Sequence, residues 1–64
     1  MIWIEWVEPF GPGNEPVYMR VKPEVAIACA KANAAKKGYV YPNDEEALVD
    51  FIVVQWAEKK EYPE

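Results

Sequence analysis

The sequence predicts an α+β fold: a two-stranded antiparallel β-hairpin followed by a two-helix hairpin, ββαα, with a single layer of helices on one sheet face. Three features carry that prediction. Residues 2–8 and 17–22 are β-rich segments in which apolar side chains recur at every second position. The stretch between them, PFGPGNEP, holds three prolines and two glycines and reads as a turn. Residues 23–37 and 44–60 are helical in composition and carry start and stop signals at their ends. All of this fits one domain over residues 1–64.

In the first strand, IWIEWVE, Ile2, Ile4 and Trp6 share one face while Trp3, Glu5 and Val7 share the other. In the second, Val17, Met19 and Val21 alternate with Tyr18, Arg20 and Lys22. Two registers keep the same faces: one sets Trp3 across from Arg20, the other pairs Ile4 with Val21, Trp6 with Met19 and Glu5 with Arg20. The second is preferred because it matches opposite charges on the wet face and sulfur to ring on the dry one. Pro23 suits a first helical position, Glu24 complements the helix dipole, and Lys36, Lys37 and Gly38 form a stop. Asn43 with Glu46 makes the pattern of a capping box for the second helix. Lys59 and Lys60 are read as its positively charged last turn.

The expected core joins Ile2, Ile4, Trp6, Val17, Met19 and Val21 to Leu48, Val49, Ile52, Val53 and Trp56 of the second helix. A stripe of small residues on the first helix, Val25, Ala28, Cys29, Ala32 and Ala35, completes it. Apolar residues remain after this assignment. Trp3, Val7 and Tyr18 project from the other strand face, and Ala47, Phe51 and Val54 lie opposite the core arc of the second helix; the competing reading is that these aromatics sit singly on the surface or that Phe10 of the long loop covers Phe51. Exposed patches of this size mark protein contacts, and Trp and Tyr dominate binding hot spots. These six residues are therefore the candidate protein-binding set, with Asp44, Glu45, Glu46 and Asp50 as an acidic rim that steers a partner.

Composition excludes more than it assigns. The 64 residues contain no His, no Ser, no Thr and one cysteine, so most nucleophilic triads, nitrogen metal ligands and any internal disulfide are absent. No catalytic, cofactor or metal residue is expected: Cys29 among alanines reads as a core residue, and the acids at 44–50 read as a solvated helix start. Net charge is −4, with −2 over residues 1–21, +3 over 22–38 and −5 over 39–64. That sign opposes nucleic acid and anionic lipid, so a nucleic-acid-binding ribbon is a less favoured reading. Short aliphatic runs and a single thiol make a membrane span improbable on length and a cytoplasmic location the expectation.

In length, acidity and the aromatic acidic segment PNDEEALVDFIVVQWAEK, the chain resembles small accessory proteins encoded by bacteriophages and prophages. The resemblance implies a protein that works by binding a host or viral component. The function expected is a noncatalytic protein-protein interaction module, for instance an inhibitor of a host protein, that forms a homodimer and docks on a partner with a basic or apolar groove. The alternative is a structural self-associating subunit of a viral or multisubunit assembly.

Overall fold

The computed structural model describes residues 1–9 and 12–63. Strand β1 (Ile2–Glu8) runs into a 3-10 turn at Pro12–Asn14 and returns as β2 (Val17–Val21). Helix α1 (Pro23–Lys36) and helix α2 (Asp44–Gln55) follow, and the chain closes with a third strand, β3 (Glu58–Glu61). The fold is α+β as expected, but the sheet has three antiparallel strands in the order β2-β1-β3 rather than two. The β1–β2 register is the one that charge and face matching select: Ile4 opposite Val21, Glu5 opposite Arg20, Trp6 opposite Met19.

The third strand corrects the reading of residues 56–60 as the end of the second helix. Nothing in EKKE has strand character by propensity. Its pairing with β1 supplies the reason, because β1 is apolar on both faces and would otherwise leave one edge of backbone donors and acceptors open. Trp3 pairs with Lys60 and Ile4 with Lys59, so exposed lysines stand directly opposite the apolar residues of β1. Met1 and Tyr62 extend the ladder, the Met1 ammonium donating to the Tyr62 carbonyl at 2.6 Å and the Tyr62 N–H donating to the Met1 carbonyl at 2.8 Å. Charged side chains along β3 also protect that edge of the sheet from further pairing.

Both helices end in the same way on different residues. After α1, Gly38 at φ 77° sends its N–H to the Ala35 carbonyl, and the Tyr39 N–H reaches Ala34. After α2, Trp56 at φ 54° donates to Val53 and Ala57 donates to Ile52. Each is a Schellman turn, whose left-handed position ordinarily falls to glycine. Trp56 is the described non-glycine residue at positive φ. At the other end of α2 the Glu46 N–H donates to Asn43 Oδ1 at 2.9 Å, the cap that the sequence indicates.

The core lies between the Ile4 face of the sheet and the two helices, and it is thin. Ile4, Ala26, Ala30, Ala47, Phe51 and Ala57 are buried together, with Trp6, Val21, Ile27, Tyr41, Leu48 and Ile52 packed partly against them. Phe51 meets Trp6 edge to face at 5.4 Å between centroids. Both helices are turned relative to the expected core stripes. Ala26, Ala30 and Ala34 point inward on α1, whereas Val25 and Cys29 are exposed. Ala47 and Phe51 point inward on α2, whereas Val49, Val53 and Trp56 are exposed. An Ala-rich helix that is apolar on several sides cannot orient itself by periodicity; here the closest approach of two helices through alanines, and one ring against Trp6, decide the rotation.

The consequence is a large remaining surface. The Cα trace occupies 37 × 30 × 14 Å with a radius of gyration of 12.9 Å, against about 11 Å for a compact chain of this length. Accessible surface is 5060 Å², where a folded monomer of this mass averages about 4,200 Å². Residual apolar exposure includes Val7, Tyr18, Tyr39, Val40, Val49, Val53, Val54 and Trp56.

The Schellman turn gives a test with opposite signs for the two assignments of residue 56. Trp56→Gly relieves a left-handed bulky residue and should raise stability in urea unfolding by about 1 kcal/mol. A helix running on to residue 60 would instead lose about 1 kcal/mol from the same change.

Candidate functional site

The outer face of the sheet, turned away from the helices, collects side chains from every strand. Odd-numbered positions of β1 place Trp3, Glu5 and Val7 there; β2 contributes Tyr18 and Arg20, and β3 contributes Glu58 and Lys60. Val7 stands directly across from Tyr18. Trp56, delivered by the left-handed turn at the end of α2, joins them, so that Val7, Tyr18, Trp56, Glu5, Glu58 and Lys60 line one open cleft of about 370 Å³. Tyr18 is 80% exposed and Trp56 90% exposed. Two aromatic rings with a valine between them are thus presented to solvent at one end of the sheet.

The opposite end of the same face is already occupied. The Arg20 guanidinium lies 4.7 Å from the Trp3 ring centroid and 5.6 Å from that of Tyr62. Trp3 is therefore half-buried beneath an internal cation and is not a free anchor. Glu5 sits between Arg20 on one neighbouring strand and Glu58 on the other. Like charges directly opposite in a ladder oppose pairing. The Tyr62 phenol is raised above its usual value, first by hydrogen bonding toward Glu5, then by loss of water and by the nearby negative charge. Glu58 has a loose ion pair with Lys60 at 3.6 Å, with both side chains well exposed.

A second surface runs along the helix pair. A groove of about 1010 Å³ lies between α1 and α2, with Phe51 at its floor and Val49, Val53 and Val54 along one wall. Glu45, Glu46 and Asp50 stand at its α2 side and Lys36 and Lys37 at its α1 side. Here the expected set is partly corrected. Val54 is exposed at 65%, as anticipated, but Ala47 is fully buried and Phe51 is only 9% exposed, because both belong to the core, where Phe51 meets Trp6 edge to face. Phe51 lines the groove rather than projecting from it, and Ala47 is not part of its lining. The Phe10 cover anticipated for Phe51 lies outside the described residues.

The acidic residues separate into different roles. Asp44 forms an ion pair with Lys31 and so ties the start of α2 to α1. Asp50 accepts a hydrogen bond from the Tyr41 hydroxyl. Glu45 and Glu46 occupy the first turn, where they complement the helix dipole, and remain exposed at the groove. Only part of the expected rim is therefore free to meet a partner.

Of the residues that sequence reasoning selected, the structure brings Val7 and Tyr18 together on the sheet face, and Val54, Phe51, Glu45, Glu46 and Asp50 together around the helix groove. It adds Trp56, which had been assigned to the core, and the Glu5–Glu58 pair, which depends on a strand that the sequence does not announce. A tryptophan next to an alanine and then a charged tetrapeptide was the available signal: the apolar periodicity of α2 ends there. Among the described residues no helix is long and apolar enough to cross a membrane.

Hydrogen bonding to Asp50 is the first cause that pushes Tyr41 up to about 12, followed by desolvation and the Asp50 charge. A raised phenol favours the folded state below its unfolded value near 10, and that contribution fades between pH ~10 and the folded value. Ultraviolet titration should show Tyr41 ionising at about pH 12, and Asp50→Asn should bring it back toward pH ~10. An unchanged titration in that variant would remove the Asp50 assignment.

No protein-family model, no curated protein and no solved structure matches this chain.

Proposed function

We propose that the protein is a noncatalytic binding module that docks on another protein through the outer sheet face, with Trp56 and Tyr18 as anchors. The observation that carries this reading is Trp56 itself. A tryptophan held at φ 54° and 90% exposed accepts a backbone cost and an exposed ring at once, at a position where glycine would close the same turn. Its side chain lies outside the buried core. Large rigid rings of this kind, exposed beside polar groups, are the residue types that dominate protein contacts. Surface area supports the same reading: the chain exposes roughly 850 Å² more than a folded monomer of its mass, close to the 800 Å² or so that each partner contributes to a standard interface. An inhibitor or modulator of a host protein is one form such a module takes.

A second reading, self-association, rests on a different observation. Among the described residues the outer edge of β2 has no neighbouring strand, while the opposite edge of the sheet is formed by the charged β3. Antiparallel pairing of two β2 strands about a two-fold axis at Met19 sets Val17 opposite Val21 and Tyr18 opposite Arg20 of the second copy. Pro16 and Pro23 bound that segment on both sides. The pairing satisfies the open backbone groups of both copies and gives a homodimer.

Trp56→Gly and Tyr18→Ala separate folding from binding. Both variants should keep the wild-type circular dichroism spectrum and lose at least about tenfold in affinity for whatever cellular protein the wild type captures reproducibly. Capture that survives both changes overturns the sheet-face reading. Sedimentation equilibrium at tens of micromolar, an order-of-magnitude choice suited to ordinary subunit affinities, should show a dimer; a monomer throughout removes the second reading.

A further inference from the structure

We propose that the cleft between Tyr18 and Trp56 receives an arginine side chain of the partner, stacked between the two rings and paired with Glu58. The inference rests on the binding-face reading above and supplies its ligand chemistry.

The internal arrangement of the face is the first argument. At one end, Arg20 lies over Trp3 and Tyr62 at 4.7 and 5.6 Å, on the strand position opposite Glu5. At the other end, Tyr18 and Trp56 flank Val7, with Glu58 on the far side of Glu5. Two aromatic rings and an adjacent carboxylate therefore occur twice on this sheet, once filled by a guanidinium of the chain and once open.

Charge is the second argument. Glu5 and Glu58 are direct cross-strand partners, and two carboxylates so placed repel. Among the described residues, Glu5 Oε2 is buried without a hydrogen-bond partner, although the Tyr62 phenol is directed toward the Glu5 carboxylate and Arg20 stands across the strand from it. Lys60 answers only Glu58, at 3.6 Å, and both of those side chains are largely in solvent, where such a pair contributes little and exchanges readily. An incoming cation that displaces the Lys60 ammonium gains Glu58 as a direct partner, with the Glu5 charge behind it.

Shape selects arginine over lysine. A guanidinium is planar, stacks on aromatic faces, is more weakly hydrated than an ammonium, and meets a carboxylate through two parallel N–H groups. Walls of Tyr and Trp over a valine floor reward a flat cation and leave its edge free for Glu58. A neutral ligand would satisfy the rings but not the carboxylates, and an anion would be repelled by both. A nucleic-acid strand, which also stacks on aromatic side chains, would bring phosphates against Glu5 and Glu58.

The probe is a capped hexapeptide in which three arginines alternate with glycines, compared with its citrulline counterpart, which keeps the planar shape and lacks the charge. Binding is followed by tryptophan fluorescence and by the indole N–H resonance of Trp56 at physiological salt. The arginine peptide should bind saturably, with Kd on the order of 0.1–1 mM. The citrulline peptide should bind about tenfold more weakly or worse. Trp56→Gly and Glu58→Gln should each weaken the arginine peptide about fivefold or more, as Trp56 and Glu58 form the stack and the ion pair. Glu61→Gln removes the same charge from β3 at a position facing the helix side of the sheet, opposite Ile2, and should leave Kd within about twofold.

Equal losses from Glu58→Gln and Glu61→Gln would show attraction to general negative charge and overturn the site. Equal binding of the citrulline peptide would reduce the cleft to an apolar stack and overturn the ion pair. Absence of binding by the arginine peptide overturns the proposal; if cellular capture is still lost in Trp56→Gly, the sheet face stands as the binding face, and if capture is unaffected, both readings fall together.

Discussion

Pairing of β1 on both of its edges is the constraint from which the rest of the molecule follows. A strand reading IWIEWV carries large apolar side chains on both faces, so it is stable only in the middle of a sheet. β2 reaches it through the long turn. β3 reaches it only because α2 stops at Gln55 and the chain reverses at once. The left-handed conformation of Trp56 is the geometric result: Ala57 must turn back to the Ile52 carbonyl so that Glu58 can meet Glu5. A strained backbone position is tolerated where it places a whole strand.

Small residues govern the second layer. Ala26, Ala30 and Ala34 on one helix and Ala47 on the other allow backbones to approach closely, with Phe51 as the buried ring that meets Trp6 of the sheet. Close approach costs little volume but buries little apolar area, and area is what opposes the conformational entropy of folding. The chain therefore folds around Ile4 and Phe51 while much of its valine and aromatic surface stays outside. Association that covers such surface would also stabilise the folded state by mass action, which links the binding reading to the thinness of the core.

The aromatic cleft illustrates how distant segments become one surface. Val7 and Tyr18 are brought together by hairpin register, and Trp56 is carried across by a helix end. The carboxylates that border the rings come from β1 and β3, and their mutual repulsion is tolerated beside Arg20 and Lys60. The face is thus close to neutral in total, yet divided into one end where Arg20 lies over Trp3 and Tyr62 and another where Tyr18 and Trp56 stand open beside the exposed Glu58–Lys60 pair.

The amino-acid sequence determined the hairpin, the start of each helix and the absence of most catalytic side-chain chemistry, and it favoured one of two face-compatible registers, the one the structure adopts. These depend on neighbours in the chain or on two-residue alternation: Glu5 opposite Arg20, Pro23 at a helix start, Asn43 capping Glu46, no histidine or hydroxyl outside tyrosine. It also placed Val7, Tyr18 and Val54 outside the core. Tertiary structure alone decided the third strand, the rotation of both helices and the exposure of Trp56. EKKE has no intrinsic strand preference and is recruited by an open edge 50 and more positions away in the chain, while helices apolar on several sides take their orientation from what they touch. Where local preference is weak or degenerate, the partner surface makes the choice.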